Sequence, residues 1–294
     1  MSLRIGTRGS ALALVQTETV VRMLADQGID AEIVTITTAG DTATGVPLHA
    51  IGGQGVFVRA LDDAILKGEV DAAVHSMKDI PAARPKGLAC SAVLERASPA
   101  DFLAHEAPLD AIRVVGSSST RRRAQILRAD PTLEVKHLRG NVDTRIRKLR
   151  EGQYDAIMLA EAGLQRLGLQ IAGEALPTDR FVPSPNQGAV AVVCRDDPEI
   201  TGIVAALDHA PTRLDVAIER AVMEEVGGGC FTPQGIYCRG GDLIAEVLAL
   251  DGSRWERIER HVASPEEARV CGRALREKAG DLIREARAAL GLKP

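Results

Sequence analysis

The sequence predicts an α/β protein of several domains, built on largely parallel sheets. Three observations carry this. Short β-branched strands alternate with amphipathic helices, the alternation starts afresh beyond Ser98-Pro99, and 294 residues with 45% hydrophobic content can fill two or three cores of ordinary domain size.

Leu3 to Thr7 reads as the first strand, and Ser10 caps a helix whose Leu14, Thr17, Val21 and Leu24 recur on one face up to Gly28. Ala31 to Thr38 follows as a strand, Phe57 to Lys67 as a helix, and Val70 to His75 and Leu88 to Leu94 as strands. The second run places strands at Arg113 to Gly116, Leu133 to Leu138 and Asp155 to Ala160, with helices opening at Thr120 and Asn141. Pro183-Ser184-Pro185-Asn186-Gln187-Gly188 is punctuated like a linker, and Gly240-Gly241-Asp242 like a hairpin turn. A third region begins near Leu207 and closes with Pro265 to Leu290, a pattern that predicts one long terminal helix.

The N-terminus meets charge and glycine at once, so the reading expects no export signal, and no run of about 18 apolar residues suggests a membrane span. Five cysteines without a Cys-x-x-Cys pair fit neither a disulfide framework nor a zinc site, and the expectation is a reducing cytoplasm and no metal. A net charge of -4 argues against a surface built for polyanions at large. Nucleic acid is disfavoured as a partner as well, because 2% aromatic content leaves few stacking platforms beside the basic segment Lys136 to Arg150.

In open α/β sheets ligands sit beyond the carboxyl ends of the strands. Those positions are polar here: Arg8 and Ser10; Thr38-Ala39-Gly40-Asp41; His75-Ser76-Met77-Lys78-Asp79; Ser117 to Arg123; and Arg139 to Arg145. A serine-rich turn opening a helix favours anions, and the planar fork of arginine suits carboxylates, so the pattern expects a ligand with several acidic groups, held in a cleft between two lobes. Arg123, Arg147, Lys148 and Arg150 read as solvated helix faces. Asp79 can move a proton during loss of an amine and stabilise a cation, whereas the neighbouring Asp79 weakens a Schiff-base reading of Lys78. Cys230 follows three glycines, Gly227 to Gly229, on a turn that can present a thiol to something bulky, although a lone cysteine is more often a small buried hydrophobe.

Taken in order, these motifs resemble the hydroxymethylbilane synthase (porphobilinogen deaminase) family over nearly the whole chain. The resemblance is carried by Ile5 to Leu14, Gly52 to Val58, Ala73 to Pro81, Gly116 to Arg122, Leu138 to Arg145, Ala162 to Gly168, Gly188 to Val190 and Gly228-Gly229-Cys230. It implies two lobes like periplasmic binding proteins and a small α/β C-terminal domain. The boundaries expected are 1–94 with 188–207, 99–183, and 208–294. It implies a dipyrromethane cofactor attached through Cys230, with four porphobilinogen molecules joined to it, each losing ammonia, before hydrolysis releases hydroxymethylbilane. By position, Asp79 matches the catalytic residue, and Lys78, Ser119, Arg121, Arg122, Asp41, Arg139 and Thr144 match cofactor contacts. Arg8, Ser10, Arg145, Arg166 and Phe57 match the substrate side, and each pyrrole's acetate and propionate explain the arginines. A monomer is implied. Gln54, Thr120 and Gly227 depart from the usual pattern, where lysine, leucine and an acidic residue are common.

Two rival readings remain distinguishable. A two-lobed binding protein for a small polycarboxylate would need neither Asp79 nor Cys230, and a thiol hydrolase using Cys230 lacks a histidine partner with a readable motif relationship.

Overall fold

The structure, a computed structural model, describes residues 2–37, 56–81, 84–227 and 231–291, without the side chains of Val56 and Phe57. The chain divides into two compact units, Met1–Ala97 with Gly188–Arg213 and Ser98–Gln187 with Leu214–Pro294.

Unit 1 holds β1 (Leu3–Thr7), β2 (Ala31–Thr35), β3 (Ala72–Ser76), β4 (Leu88–Val93) and β10 (Val190–Arg195), hydrogen-bonded in the order β2-β1-β3-β10-β4. β1 is parallel to β2 and β3, while β10 runs antiparallel to β3 and β4. Helix α1 (Ala11–Ala25) begins where Ser10 Oγ accepts the Ala13 N–H at 3.4 Å. Leu3, Ile5, Val20, Leu24, Val74, Val192, Ile200 and Val204 share one core, which seals β3 and β10 and explains their unbroken apolar runs. Helices α2 (Val56–Leu66) and α6 (Pro198–Ala205) complete the unit's described helices apart from the start of α7 (Ala210–Val226). The strand expected to reach Thr38 ends at Thr35, because its neighbour β1 ends at the register partner Thr7 and the Ile36 N–H closes the ladder on the Thr7 carbonyl at 2.8 Å.

Unit 2 holds β5 (Asp101–His105), β6 (Val114–Gly116), β7 (Glu134–Lys136), β8 (Ala156–Ala160) and β9 (Gly173–Ala175), in the order β7-β6-β8-β5-β9. β6 is parallel to β7 and β8, and β5 is antiparallel to β8 and β9. Alternate residues of β8 enter different cores: Ile157 and Leu159 join Ile146 and Leu149 of α4 (Val142–Arg150), and Ala156 and Met158 join Ile126 of α3 (Thr120–Ala129).

The two sheets share one topology. Each has three parallel strands with the earliest in the middle, then an antiparallel strand, then an edge strand. In unit 1 the antiparallel strand is β10, the first made after the chain re-enters the unit, and in unit 2 it is β5, the first made after entry.

Unit 2 also contains an antiparallel meander of β11 (Gln234–Arg239), β12 (Asp242–Leu248) and β13 (Trp255–His261). The hairpin expected at Gly240-Gly241 is present, with φ of 59° and 90°, the two positive values a tight two-residue turn requires. Ile236, Leu243, Ala245 and Val247 pack under α7, α8 (Pro265–Lys278) and α9 (Gly280–Ala289). From the other face of β12, fully buried Glu246 accepts from Gln125 Nε2 (2.9 Å) and Arg128 Nη1 (2.8 Å) of α3, which ties the meander to the larger sheet's helix layer. The single terminal helix read from the sequence is two helices. They meet at Ala279 beside Gly280, whose low helix propensity makes this the natural break, and Leu282 and Ala286 stay buried as a result.

Candidate functional site

In unit 1 the carboxyl ends of parallel β1 and β3 deliver Arg8 and Ser10, and Lys78 and Asp79. Arg8, Ser10 and Lys78 are half-buried. Asp79 ends a single 3-10 turn, Met77–Asp79, fixed by Met77 N–H to the Ala189 carbonyl (3.0 Å) and Ile80 N–H to the Met77 carbonyl (3.2 Å). Its exposed carboxylate makes no hydrogen bond or ion pair among the described residues. Beneath it the turn is less polar than its sequence suggests. His75 is buried and stays neutral, with its pKa lowered to about 3 by burial and by the Arg84 and Arg8 cations. Its Nε2 lies 4.0 Å from Asp62 Oδ1, the atom that accepts Arg84 Nη2 at 2.8 Å.

In unit 2 the ends of parallel β6, β7 and β8 lead into Ser117 to Ser119, His137 to Gly140, and α5 (Glu161–Arg166). Ser119 caps α3 by accepting the Arg122 N–H (3.4 Å), and Ser118 Oγ accepts the Leu138 N–H (3.1 Å) while donating to its carbonyl, which locks two of these loops together. Gly140, with φ of 115°, packs so closely on Thr144 that a Cβ would lie 2.6 Å from Thr144 Cγ2. Arg145 Nε donates to the Gly140 carbonyl (2.8 Å), Lys148 Nζ to the Arg139 carbonyl (3.2 Å) and Arg139 Nε to His137 Nε2 (2.8 Å). Burial, with help from Arg122, lowers the Arg145 pKa to about 10, and burial alone does the same to Arg166 at the end of α5. Arg145 pairs with no carboxylate among the described residues. Desolvated guanidinium groups in this state favour an anionic ligand. His137 is held below its ordinary pKa by partial burial and by the Arg139, Arg145 and Lys148 cations around it.

Arg121 and Arg122 are placed differently from the other site arginines. Both are turned inward and buried, and they converge on Asp101 at the start of β5. Asp101 accepts from Arg121 Nη1 (2.6 Å) and Nη2 (3.3 Å), Arg122 Nη2 (2.7 Å) and Nε (3.0 Å), and Gln187 Nε2 (2.8 Å). Burial alone would raise the Asp101 pKa, but the two cations hold it far below the carboxylate range. Further bonds run from Arg121 Nη1 to Val182 O (3.0 Å) and from Arg122 Nη1 to Met158 O (3.1 Å). The sequence reading missed Asp101, Gln187, Asp62 and Arg84. The available signal was a charged residue opening an apolar run, as Asp101 does before Phe102-Leu103-Ala104. Lys148, read as a solvated face, instead braces the Arg139 loop. Asp41, Gln54, the side chain of Phe57, and Cys230 lie outside the described residues.

Residues 3–202 match the model of the "Porphobilinogen deaminase, dipyromethane cofactor binding domain", and residues 213–281 that of the "Porphobilinogen deaminase, C-terminal domain". The chain belongs to the porphobilinogen deaminase family. It is 51% identical to a "Probable porphobilinogen deaminase" of Methanosarcina acetivorans, over 96% of this chain and 93% of that one. It is 43% identical to a "Porphobilinogen deaminase" of Rubrobacter xylanophilus, over 92% and 87%. Among solved structures, a periplasmic substrate-binding protein of an ABC transporter from Coxiella burnetii aligns with 71% of this chain and 93% of its own, at 16% identity and a TM-score of 0.44. This porphobilinogen deaminase family member is thus an enzyme, and its cofactor is a dipyrromethane. No helix among the described residues is long and apolar enough to cross a membrane.

Proposed function

We propose that the enzyme joins four porphobilinogen molecules head to tail on the dipyrromethane, attached through Cys230, and releases hydroxymethylbilane. The observation that carries this reading is the exposed Asp79 carboxylate, left without a partner among the described residues on a fixed turn at the end of a parallel strand. The donor set fits an acidic cofactor. Arg145, half-buried and without a carboxylate partner among the described residues, sits on one edge with Arg139, Ser119 and Thr144, and these residues, with Lys78, would hold the cofactor's acetates and propionates, while Asp41 belongs to the same cofactor cleft. When bound, the cofactor supplies the nucleophilic pyrrole carbon at which the chain grows.

The protein's own groups do the rest. Arg8, Ser10, Arg145 and Arg166 orient the substrate's carboxylates, and Phe57 belongs to the same substrate side. Asp79 holds the pyrrole N–H, moves a proton as the aminomethyl nitrogen leaves as ammonia, and stabilises the positive charge left on the carbon. Arg121 and Arg122, occupied by Asp101, support this edge from beneath by orienting the amide that Ser119 caps. The enzyme acts in the cytoplasm, a reading supported by cysteines without a Cys-x-x-Cys pair, as a monomer, the expectation for its family, and without nucleic acid, a reading supported by its net charge of -4 and scarce aromatics.

The test is the intact mass of the purified protein against the 31.2 kDa chain. The expected result is an excess of two linked pyrroles that disappears in Cys230→Ser. A bare-chain mass, unchanged after incubation with porphobilinogen, would overturn the covalent reading.

A further inference from the structure

Among the described residues the Asp79 carboxylate touches nothing that could aim it, so the backbone on either side carries its placement. That backbone is short. On the near side, four residues before Asp79, the imidazole of His75 is buried on β3. On the far side Pro81 offers no N–H, and five residues beyond Asp79 the Arg84 guanidinium reaches α2. Both flanks face one oxygen. Asp62 Oδ1 on α2 accepts Arg84 Nη2 at 2.8 Å and lies 4.0 Å from His75 Nε2. The Asp62 side chain is 5% exposed and that of Arg84 18%.

The charge balance decides what this cluster is. His75 is buried among the Arg8 and Arg84 cations and stays neutral, so the Asp62 charge is committed to Arg84. His75 Nε2 and Arg84 Nη1 are buried without a hydrogen-bond partner among the described residues, an arrangement with a cost that a purely structural core position would normally avoid. A buried ion pair is a weak source of stability but a strict constraint on geometry, because neither partner can leave without stranding the other.

We infer that the Asp62–Arg84 pair positions Asp79, tying Arg84, five residues beyond it, to α2 while Asp62 also backs the strand before it. The inference rests on Asp79 being the catalytic carboxylate. Neither Asp62 nor Arg84 touches substrate in this assignment; both act through the Asp79 turn.

The test is steady-state kinetics of the cofactor-loaded enzyme for Asp62→Asn, Arg84→Gln, the double variant and Arg84→Lys, with Asp79→Asn alongside and intact mass confirming the cofactor in each. A displacement of about 1 Å at a reacting group can cost roughly 100-fold, so kcat is expected to fall roughly 10- to 100-fold in each single variant. KM should stay within about 3-fold because the carboxylate-binding arginines are untouched. The double variant should be no slower than the slower single, the signature of two residues acting as one unit, and Arg84→Lys should recover most of the loss. A kcat within about twofold of wild type in Arg84→Gln overturns the inference, as does a loss that only tracks the folded fraction. Arg84→Gln decides the matter even if Asp62→Asn fails to fold, since Arg84 is the more exposed partner. If Asp79→Asn turns over like wild type, the assignment of Asp79 itself falls, which is a separate result.

Discussion

Replacing Asp101 by asparagine removes one negative charge from beneath two guanidinium groups and leaves the volume almost unchanged. The Arg121 and Arg122 side chains are 5% and 9% exposed and that of Asp101 0%, so neither cation can recover its hydration by a small movement. Removing one partner of a buried ion pair costs about 3–5 kcal/mol. The asparagine carbonyl can still accept some of the five hydrogen bonds, so the lower end, about 3 kcal/mol, is expected. At about 2–4 °C per kcal/mol for a unit of this size, Tm should drop by about 6–12 °C at pH 7 in a calorimetric scan. The pH dependence gives a second handle. The folded pKa of Asp101 is depressed, so its stabilisation is intact above the unfolded value of about 3.9 and is lost as pH falls through the folded one. The gap between wild type and Asp101→Asn should therefore narrow below pH 4. A Tm within about 2 °C of wild type at pH 7 would refute the view that the two arginines are internal ties.

His75 is kept neutral at a folded pKa of about 3, below its unfolded value of about 6.5, so the unfolded state binds more protons between those limits and wild-type stability falls with pH below 6.5 by up to about 1.4 kcal/mol per unit. His75→Gln should remove that slope, read as Tm from pH 7 to pH 5. A Cβ on Gly252, where φ is 74°, would lie 2.4 Å from the Ala124 carbonyl oxygen and 2.5 Å from Arg128 N, so Gly252→Ala should cost more than about 2 kcal/mol in a denaturant melt by forcing the β12–β13 loop off α3. Gly140→Ala should lower kcat/KM by more than about tenfold with a smaller proportional effect on Tm, because the side chain displaced is Thr144 and the carbonyl moved is the one that anchors Arg145. Asn186 has φ of 64° with its N–H on Glu219 Oε2 at 2.6 Å, so Asn186→Gly should change stability by under about 0.5 kcal/mol and Asn186→Ala should cost about 1–2 kcal/mol by equilibrium unfolding.

The elements legible in the sequence were those with a local signature. β1 and α1 could be read because Leu3 to Thr7 ends in a capping serine with apolar residues at helical spacing behind it, and the β11–β12 hairpin because two glycines mark its turn. β5 was not legible. It is five residues long, and its meaning lies in pairing with β8, more than fifty residues away along the chain. The same holds within the candidate site. The strand-end rule located Arg8, Ser10, Lys78, Asp79, Ser119, Arg139 and Arg145 on the polar edges of their units. It could not show that Arg121 and Arg122 turn inward, because the carboxylate they meet is 20 residues earlier on a strand with no pattern of its own. In the same way, Asp62 could not be distinguished from its neighbour Asp63 by spacing, and only the fold shows that one of the two faces Arg84.

The matched topology of the two five-stranded sheets has a consequence for how the chain folds as it is made. Every strand of the unit 2 sheet has been synthesised by Ala175, so that sheet can close on its own. The unit 1 sheet cannot. Its β3 and β4 wait for β10, which pairs Ala191 with Val93 across roughly a hundred residues, and until then each presents a bare hydrogen-bonding edge. On the ribosome the sheet of unit 1 is therefore the later of the two five-stranded sheets to be completed, and nascent chains that stop short of Arg195 should be the aggregation-prone species and the natural clients of chaperones.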